Sequence, residues 1–204
     1  VHDQRSAKAR VDDGCSFATQ IGKYALPATS TPGFLVNRVL APYMRNAMKM
    51  HREGIPREAL DQAAEQFGMP MGPVELADTV GLDVGLGVID TLMGDEAAED
   101  RKVLEEMVQE GKLGKKSGEG FYVWKNDKPQ RDPNAHQGYD LNHLAEQLMR
   151  PYFEECRSAL NDGVVDNADL LDAGMIFGTG FAPFRGGPMH YLAKREESTV
   201  EESA

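Results

Sequence analysis

The sequence predicts an all-α protein: two related helical units packed as an intramolecular pseudo-dimer, with a short remnant of something else at its start. Three observations predict this. Apolar residues recur at helical intervals, as in "STPGFLVNRVLAPYM", where Phe34, Val36, Val39, Leu40, Tyr43 and Met44 follow that spacing. A weak internal repeat lies beneath. "LAPYMRNAMKMHREG" (Leu40 to Gly54) resembles "LMRPYFEECRSALNDG" (Leu148 to Gly163), and "QFGMPMGPVEL" echoes "IFGTGFAPFRGGPMHYL". Finally, one copy alone has a thin core, and two copies stacked face to face would cover the shared apolar surface.

The elements follow in order. "RVDDGCSFATQIGKYALPATSTPG" reads as a short helix, an extended piece and a break, with Gly22 and Lys23 at the helix end. Pro27 confines any strand in "YALPATS" to an edge or terminal position. A helix runs from Phe34 to about His51 and stops near Gly54; Pro42 removes one of its backbone donors. "IPREALDQAAEQFG" follows, with Pro56 and Glu58 in its first turn. Another helix starts at Gly72-Pro73, with Glu75 in its first turn, and continues through "ELADTVGLDVGLGVIDTLMG". "EDRKVLEEMVQEGKLG" is a charged amphipathic helix closed by Gly111 or Gly114. "KKSGEGFYVW" is a glycine-rich turn into an apolar anchor. "KNDKPQRDPNAHQG" is polar and proline-bearing, hence a linker. "AKREESTVEESA" reads as a frayed acidic tail. The domain boundaries expected are 1–31 for the remnant, 32–124 for the first unit, 125–139 for the linker, 140–193 for the second unit and 194–204 for the tail.

Composition narrows the function. The 204 residues are 41% hydrophobic and carry a net charge of -11, which argues against a general nucleic-acid surface. Cys15 and Cys156 are too few for a disulfide framework. The five histidines (His2, His51, His136, His143 and His190) are scattered, and no HExxH, CxxC or GxSxG motif is present. No apolar run reaches the ~18–20 residues needed to cross a bilayer, and no signal peptide opens the chain. A cytoplasmic (bacterial) or organelle-matrix protein is expected, without an integral membrane segment or a nucleic-acid partner.

Asn37 poses a sharper question. It precedes Leu40, Ala41 and Met44 by helical intervals and shares their face. A buried amide there needs partners for two donors and two lone pairs. It either ties helix ends together through backbone groups or contacts a ligand.

The chain resembles the C-terminal half of the 3-hydroxyacyl-CoA dehydrogenase family. "TPGFLVNRVLAPY" resembles that family's Pro-Gly-Phe-x-x-Asn-Arg helix start. "GMPMGPVELADTVGLD" resembles its Met-Gly-Pro elbow, and "KLGKKSGEGFYVW" its Gly-x-Lys-x-Gly-x-Gly-Phe-Tyr closing motif. The second copy resembles the multifunctional fatty-acid-oxidation complex alpha subunits. The resemblance implies that residues 1–31 are the last helix and strand of a Rossmann domain. The rest of that domain is expected to be missing, since no strand–GxGxxG–helix unit occurs. The family's catalytic histidine and its glutamate partner lie in that absent half, so no catalytic residue is expected in this chain, and no hydratase domain either.

The same resemblance places Asn37 beside the acyl-CoA and Phe177 at a substrate-bordering position that some long-form members fill with tyrosine. Lys116 falls at a position near the nicotinamide cofactor. Lys112, Lys115 and Lys116 would give a positive patch on an acidic protein. The implied parent activity is NAD-dependent oxidation of (S)-3-hydroxyacyl-CoA, with no NAD expected on this chain alone. The alternative is a non-catalytic helical interaction module that docks a thiolase subunit.

Overall fold

The computed structural model of the chain describes residues 1–3, 5–92 and 94–202. Among these the fold is all-α. The helices are α1 (Lys8–Gln20), α2 (Val36–Arg52), α3 (Arg57–Phe67), α4 (Pro73–Val80), α5 (Leu82–Leu92), α6 (Ala98–Gln109), α7 (Leu141–Asn161), α8 (Ala168–Thr179) and α9 (Pro188–Glu202). A two-stranded antiparallel ribbon, β1 (Trp124–Lys125) and β2 (Lys128–Pro129), and short 3-10 turns at Gly94–Ala97, Lys115–Ser117 and Pro183–Arg185 accompany them. No helix of the described residues is long and apolar enough to cross a membrane. The chain divides into two compact units, Val1–Val39 with Phe153–Ala204, and Leu40–Tyr152.

In the first unit, the N-terminus pairs with the segment before α2. His2 N–H donates to Ala28 O and Ser30 N–H to His2 O, both at 2.9 Å, which makes His2 and Thr29 a parallel bridge. Parallel neighbours need a crossover connection, and α1 supplies it. The expected helix is present as α1, and the segments on either side of it meet through this isolated bridge. None of α1's residues is buried. At the other end, Asn167 Oδ1 caps α8 by accepting from Leu170 N–H at 2.9 Å. The helix α9 continues through Glu202, so the described part of the expected tail is helical; positions 203 and 204 lie outside the described residues.

In the second unit, α3 is closed by Gly68 at φ 115°. The single helix expected from Pro73 onward is two helices. Gly81 adopts φ 104°, a conformation that disfavours side chains, and turns the chain between α4 and α5. Leu82 N–H, just past the break, donates to Leu113 O at 3.2 Å. Leu82, Ile89, Ala97 and Leu104 form the core between α5 and α6, with Leu86, Met107 and Phe121 packed on it.

The sequence repeat reappears as recurring structural devices. Leu35, Val39, Tyr43, Ala47 and Met50 of α2 and its approach are buried at the same spacing as Leu144, Leu148, Tyr152, Cys156 and Ala159 of α7; Ala41 is buried besides in the former, Ala145 and Met149 in the latter. The two helices end alike. Gly54 N–H donates to His51 O and Ile55 N–H to Met50 O; Gly163 N–H donates to Leu160 O and Val164 N–H to Ala159 O. Both are Schellman caps, which satisfy the last carbonyls through a left-handed glycine. Each helix also runs through an internal proline, Pro42 or Pro151. Pro151 cannot donate to the carbonyl of Gln147 one turn back, and Asn46 Nδ2 donates to that oxygen instead, at 3.0 Å.

A buried carboxylate is the third recurring device. Asp61 on α3 accepts Val74 N–H (2.8 Å) and Glu75 N–H (3.1 Å) from the first turn of α4. Asp172 on α8 accepts Met189 N–H (2.7 Å) and His190 N–H (3.1 Å) from the first turn of α9. Helix N-termini leave such donors unpaired and carry partial positive charge, so a carboxylate satisfies both needs. Gly72 and Gly187 stand just before the two helices, where an added Cβ would overlap Asp61 and Asp172 respectively.

Candidate functional site

The candidate site in the first unit forms around the start of α2. Gly33 and Phe34 both take positive φ, 75° and 51°, to turn the chain into the helix. Phe34 is bulky, and such a conformation is rare for it. The buried stripe of α2 passes through Leu35 and Val39. Asn37 lies midway between them in sequence, roughly 200° around a helix of ~100° per residue, on the far side. Its side chain is therefore exposed, which corrects the expectation of a buried amide; Leu40 and Met44, on its side of the helix, are half-buried. Asn37 has no side-chain hydrogen bond among the described residues. It does not tie helix ends together.

That task falls to Arg38. Its Nε donates to Glu155 at 2.6 Å, and its Nη2 donates to Ser158 Oγ (3.0 Å) and Asp162 (2.6 Å). The guanidinium fork thereby fixes the first turn of α2 against the end of α7.

Phe177 lies in the same unit. Its neighbour Gly178 faces Val36, where a Cβ would come within 2.6 Å of Val36 Cγ2, so α8 packs tightly on the turn that carries Asn37. Phe177 is 64% exposed rather than part of the core. Tyr24, absent from the residues expected at the site, stacks on it with ring centroids 4.5 Å apart and an interplanar angle of 17°. Its sequence context, a polar-looking approach to an edge segment, held no signal of this; the pairing depends on a residue far along the chain.

The second unit holds the remaining expected residue. Lys116 Nζ sits on the Asp83 carboxylate, 2.5 and 2.7 Å from its two oxygens. That ammonium holds Asp83 below the usual carboxylate range. Lys112 pairs with Glu110 and Glu119, and Lys115 pairs with Asp127 while facing the Trp124 ring. The expected positive patch is accordingly neutralised, because each lysine has an acidic neighbour that the motif alone did not reveal.

The closing motif is built on Asp78. This buried carboxylate accepts Phe121 N–H and Tyr122 N–H, both at 2.8 Å, and Trp124 Nε1–H at 2.9 Å. A Cβ on Gly120 would overlap its Oδ1, so glycine is required by close approach. Asp78 thus anchors the motif. Asp61 also accepts the Tyr122 hydroxyl at 2.8 Å. Arg131, from the segment expected to be a linker, lies over the Tyr122 ring and pairs with Asp61, Glu65 and Glu75. Glu75 is therefore a partner of Arg131 as well as a helix-start acid. Among the described residues no group of three or more His, Cys, Asp or Glu is placed to hold a metal ion.

A family model described as the 3-hydroxyacyl-CoA dehydrogenase C-terminal domain matches residues 33–124. The fatty acid oxidation complex subunit alpha of Pseudomonas syringae pv. tomato is 31% identical over 211 residues, which covers 94% of this chain and 29% of that protein. The chain thus spans about three-tenths of the length of the curated relatives it matches. Among solved structures, the (S)-3-hydroxybutyryl-CoA dehydrogenase PaaH1 of Ralstonia eutropha is similar at 32% identity and TM-score 0.52, covering 60% of this chain and 45% of that one. The 3-hydroxybutyryl-CoA dehydrogenase of Escherichia coli shares the fold over 95% of this chain and 59% of its own, at TM-score 0.72 and 22% identity.

Proposed function

Because the chain belongs to the 3-hydroxyacyl-CoA dehydrogenase family through its C-terminal domain, we propose that it is the substrate-binding and dimerisation half of an NAD-dependent (S)-3-hydroxyacyl-CoA dehydrogenase of fatty-acid β-oxidation. The observation that carries this reading is Asn37, an exposed amide without a side-chain partner among the described residues, on the first turn of a helix fixed by Arg38. A neutral donor aimed at the 3-oxygen of an acyl-CoA stabilises the negative charge that gathers there as hydride moves, without adding a titrating group. Phe177 provides an apolar border on the neighbouring helix.

The proton-accepting histidine and the dinucleotide site are assigned to an α/β domain outside these residues. The isolated parallel bridge that flanks α1, with α1 bearing no buried residue and Phe17 and the adjoining Ile21 exposed, supports a role as part of such a domain. Lys116, held by Asp83, is a poor fit to an anionic cofactor group, since the pair would have to open first. No step is assigned to it.

The reading is tested by joining the chain to a dinucleotide-binding domain of a related dehydrogenase and following NADH formation. The isolated chain is expected to form none. In the joined protein Asn37→Ala should lower kcat more than it raises KM, a loss of roughly 3 kcal/mol in the transition state. An unchanged kcat would remove Asn37 from the chemistry.

A further inference from the structure

We propose that Arg38 is a positioning residue for the reaction: together with Thr29 it pins both ends of the span that carries Asn37 to the end of α7, so that residues 155–164 aim the amide. This rests on the substrate reading of Asn37 above and assigns the residues that make that amide effective.

The span needs holding. It enters α2 through Gly33 and Phe34, at φ 75° and 51°. A bulky residue in that conformation is strained, and it persists only where its surroundings over-determine it. The first turn of a helix also lacks intrahelical partners for its N–H groups, and helix ends fray. An unsupported Asn37 would move with that turn, whereas a displacement of about 1 Å in an active site can cost a factor of about 100 in rate.

Three sets of contacts supply the support, all within one compact unit. Ahead of the turn, Thr29 N–H donates to Val164 O at 2.9 Å and its hydroxyl to Gly163 O at 3.0 Å. Behind it, the Arg38 fork reaches Glu155, Ser158 and Asp162. Between the two, Gly174 and Gly178 stand one turn apart on α8. An added Cβ would come within 2.8 Å of Leu35 Cδ2 at the first and 2.6 Å of Val36 Cγ2 at the second, so α8 seats directly on the span. These contacts grip the backbone and the flanking side chains and leave the Asn37 amide unengaged. Direction rather than strength distinguishes the Arg38 contacts. The Asp162 side chain is 57% exposed, and an ion pair so open to water adds little to stability. A guanidinium that meets two carboxylates and a hydroxyl must keep one plane, which fixes the residue next to Asn37 in orientation as well as distance. A lysine would keep the charge and lose that orientation.

The test uses the chain joined to a dinucleotide-binding domain, with 3-hydroxybutyryl-CoA as substrate. Glu155→Gln combined with Asp162→Asn removes both charges from α7 without altering α2. This pair should lower kcat about tenfold and change KM less than about twofold, and Arg38→Lys should do the same. In an Asn37→Ala background the α7 pair should lower kcat no further, because both act through one amide. A role in folding alone gives equal losses in the two backgrounds; that outcome, or an unchanged kcat in the α7 pair, overturns the proposal. A reduced kcat in Asn37→Ala beside an unchanged one in the α7 pair overturns the positioning role and leaves the substrate reading standing, whereas an unchanged kcat in Asn37→Ala overturns both. A second measurement needs no turnover. Amide nitrogen relaxation, measured by nuclear magnetic resonance on this chain, should show residues 33–37 more mobile in the α7 pair and in Arg38→Lys than in the parent, with α8 unchanged. Equal rigidity of that turn in all three proteins overturns the proposal.

Discussion

Tyr43 and Tyr152 meet edge to face, with ring centroids 6.0 Å apart and planes at 83°. Both are buried, and they occupy matching places in the two stripes of α2 and α7. The Tyr43 hydroxyl has no hydrogen-bond partner among the described residues. Burial, and then the charge of Asp61, push its ionisation far above the usual phenol range.

The ring and the hydroxyl of Tyr43 therefore have opposite effects. Tyr43→Phe keeps the edge-to-face contact and deletes an unpaired buried hydroxyl, so it should be neutral or stabilise by about 1 kcal/mol. Tyr43→Ala removes the ring and should cost about 3–5 kcal/mol. Urea unfolding midpoints measure both; a Tyr43→Phe variant as damaged as Tyr43→Ala would show that the hydroxyl contributes more than the ring.

Arg131 is the counter-charge for Asp61, Glu65 and Glu75. Arg131→Ala should destabilise the chain by about 3 kcal/mol, the scale for stranding a buried charge. Arg131→Lys should recover less than half, because a single ammonium cannot span three carboxylates and stack on Tyr122. Thermal unfolding of the three proteins measures this, and full recovery by lysine would reduce the arginine to a point charge.

Asp61 gives the pH dependence a definite sign. Burial raises its pKa to about 6 from 3.8, against the opposing pull of Tyr122 and its other donors. A folded-state value above the unfolded one means that the contribution is fully present below about pH 4 and is lost as pH rises through about 6. Its size is on the order of 3 kcal/mol. Burial raises Asp172 in the same direction. Asp61→Asn should therefore flatten the decline in unfolding free energy between about pH 4 and 6 relative to the parent. An identical pH profile in the two proteins would show that Asp61 titrates normally.

Much of the fold was legible because helical periodicity and glycine stops are local signals. The Gly54 and Gly163 ends and the Pro56 and Pro73 starts are all legible in that way. In α2 the periodicity identifies Val39 and Tyr43, which are buried, but not Leu35. Val36 and Leu40 are as apolar as Leu35 and Val39, and only the neighbouring elements select between them. The same ambiguity placed Asn37 inside when it is exposed. The break at Gly81 is not legible, because a glycine within a helical pattern marks a break only when its φ is known. Least legible were Asp61, Asp78, Asp172 and Arg131. Their partners lie 13 to 66 residues away in sequence for the bonds of Asp61 to Val74 and of Arg131 to Glu65, beyond the reach of any motif.

The Trp124 anchor has an experimental consequence. It is the single tryptophan of the chain, it is 8% exposed, and its indole N–H is bound to Asp78. Selective excitation of tryptophan thus observes residues 40–152 alone, whereas far-ultraviolet circular dichroism, dominated by helix, sums the first unit and the second. The molecule carries a spectroscopic label confined to one of its two compact units. Superimposable denaturation curves from the two signals would mean that the units melt together, and an offset between them would give the order in which they come apart.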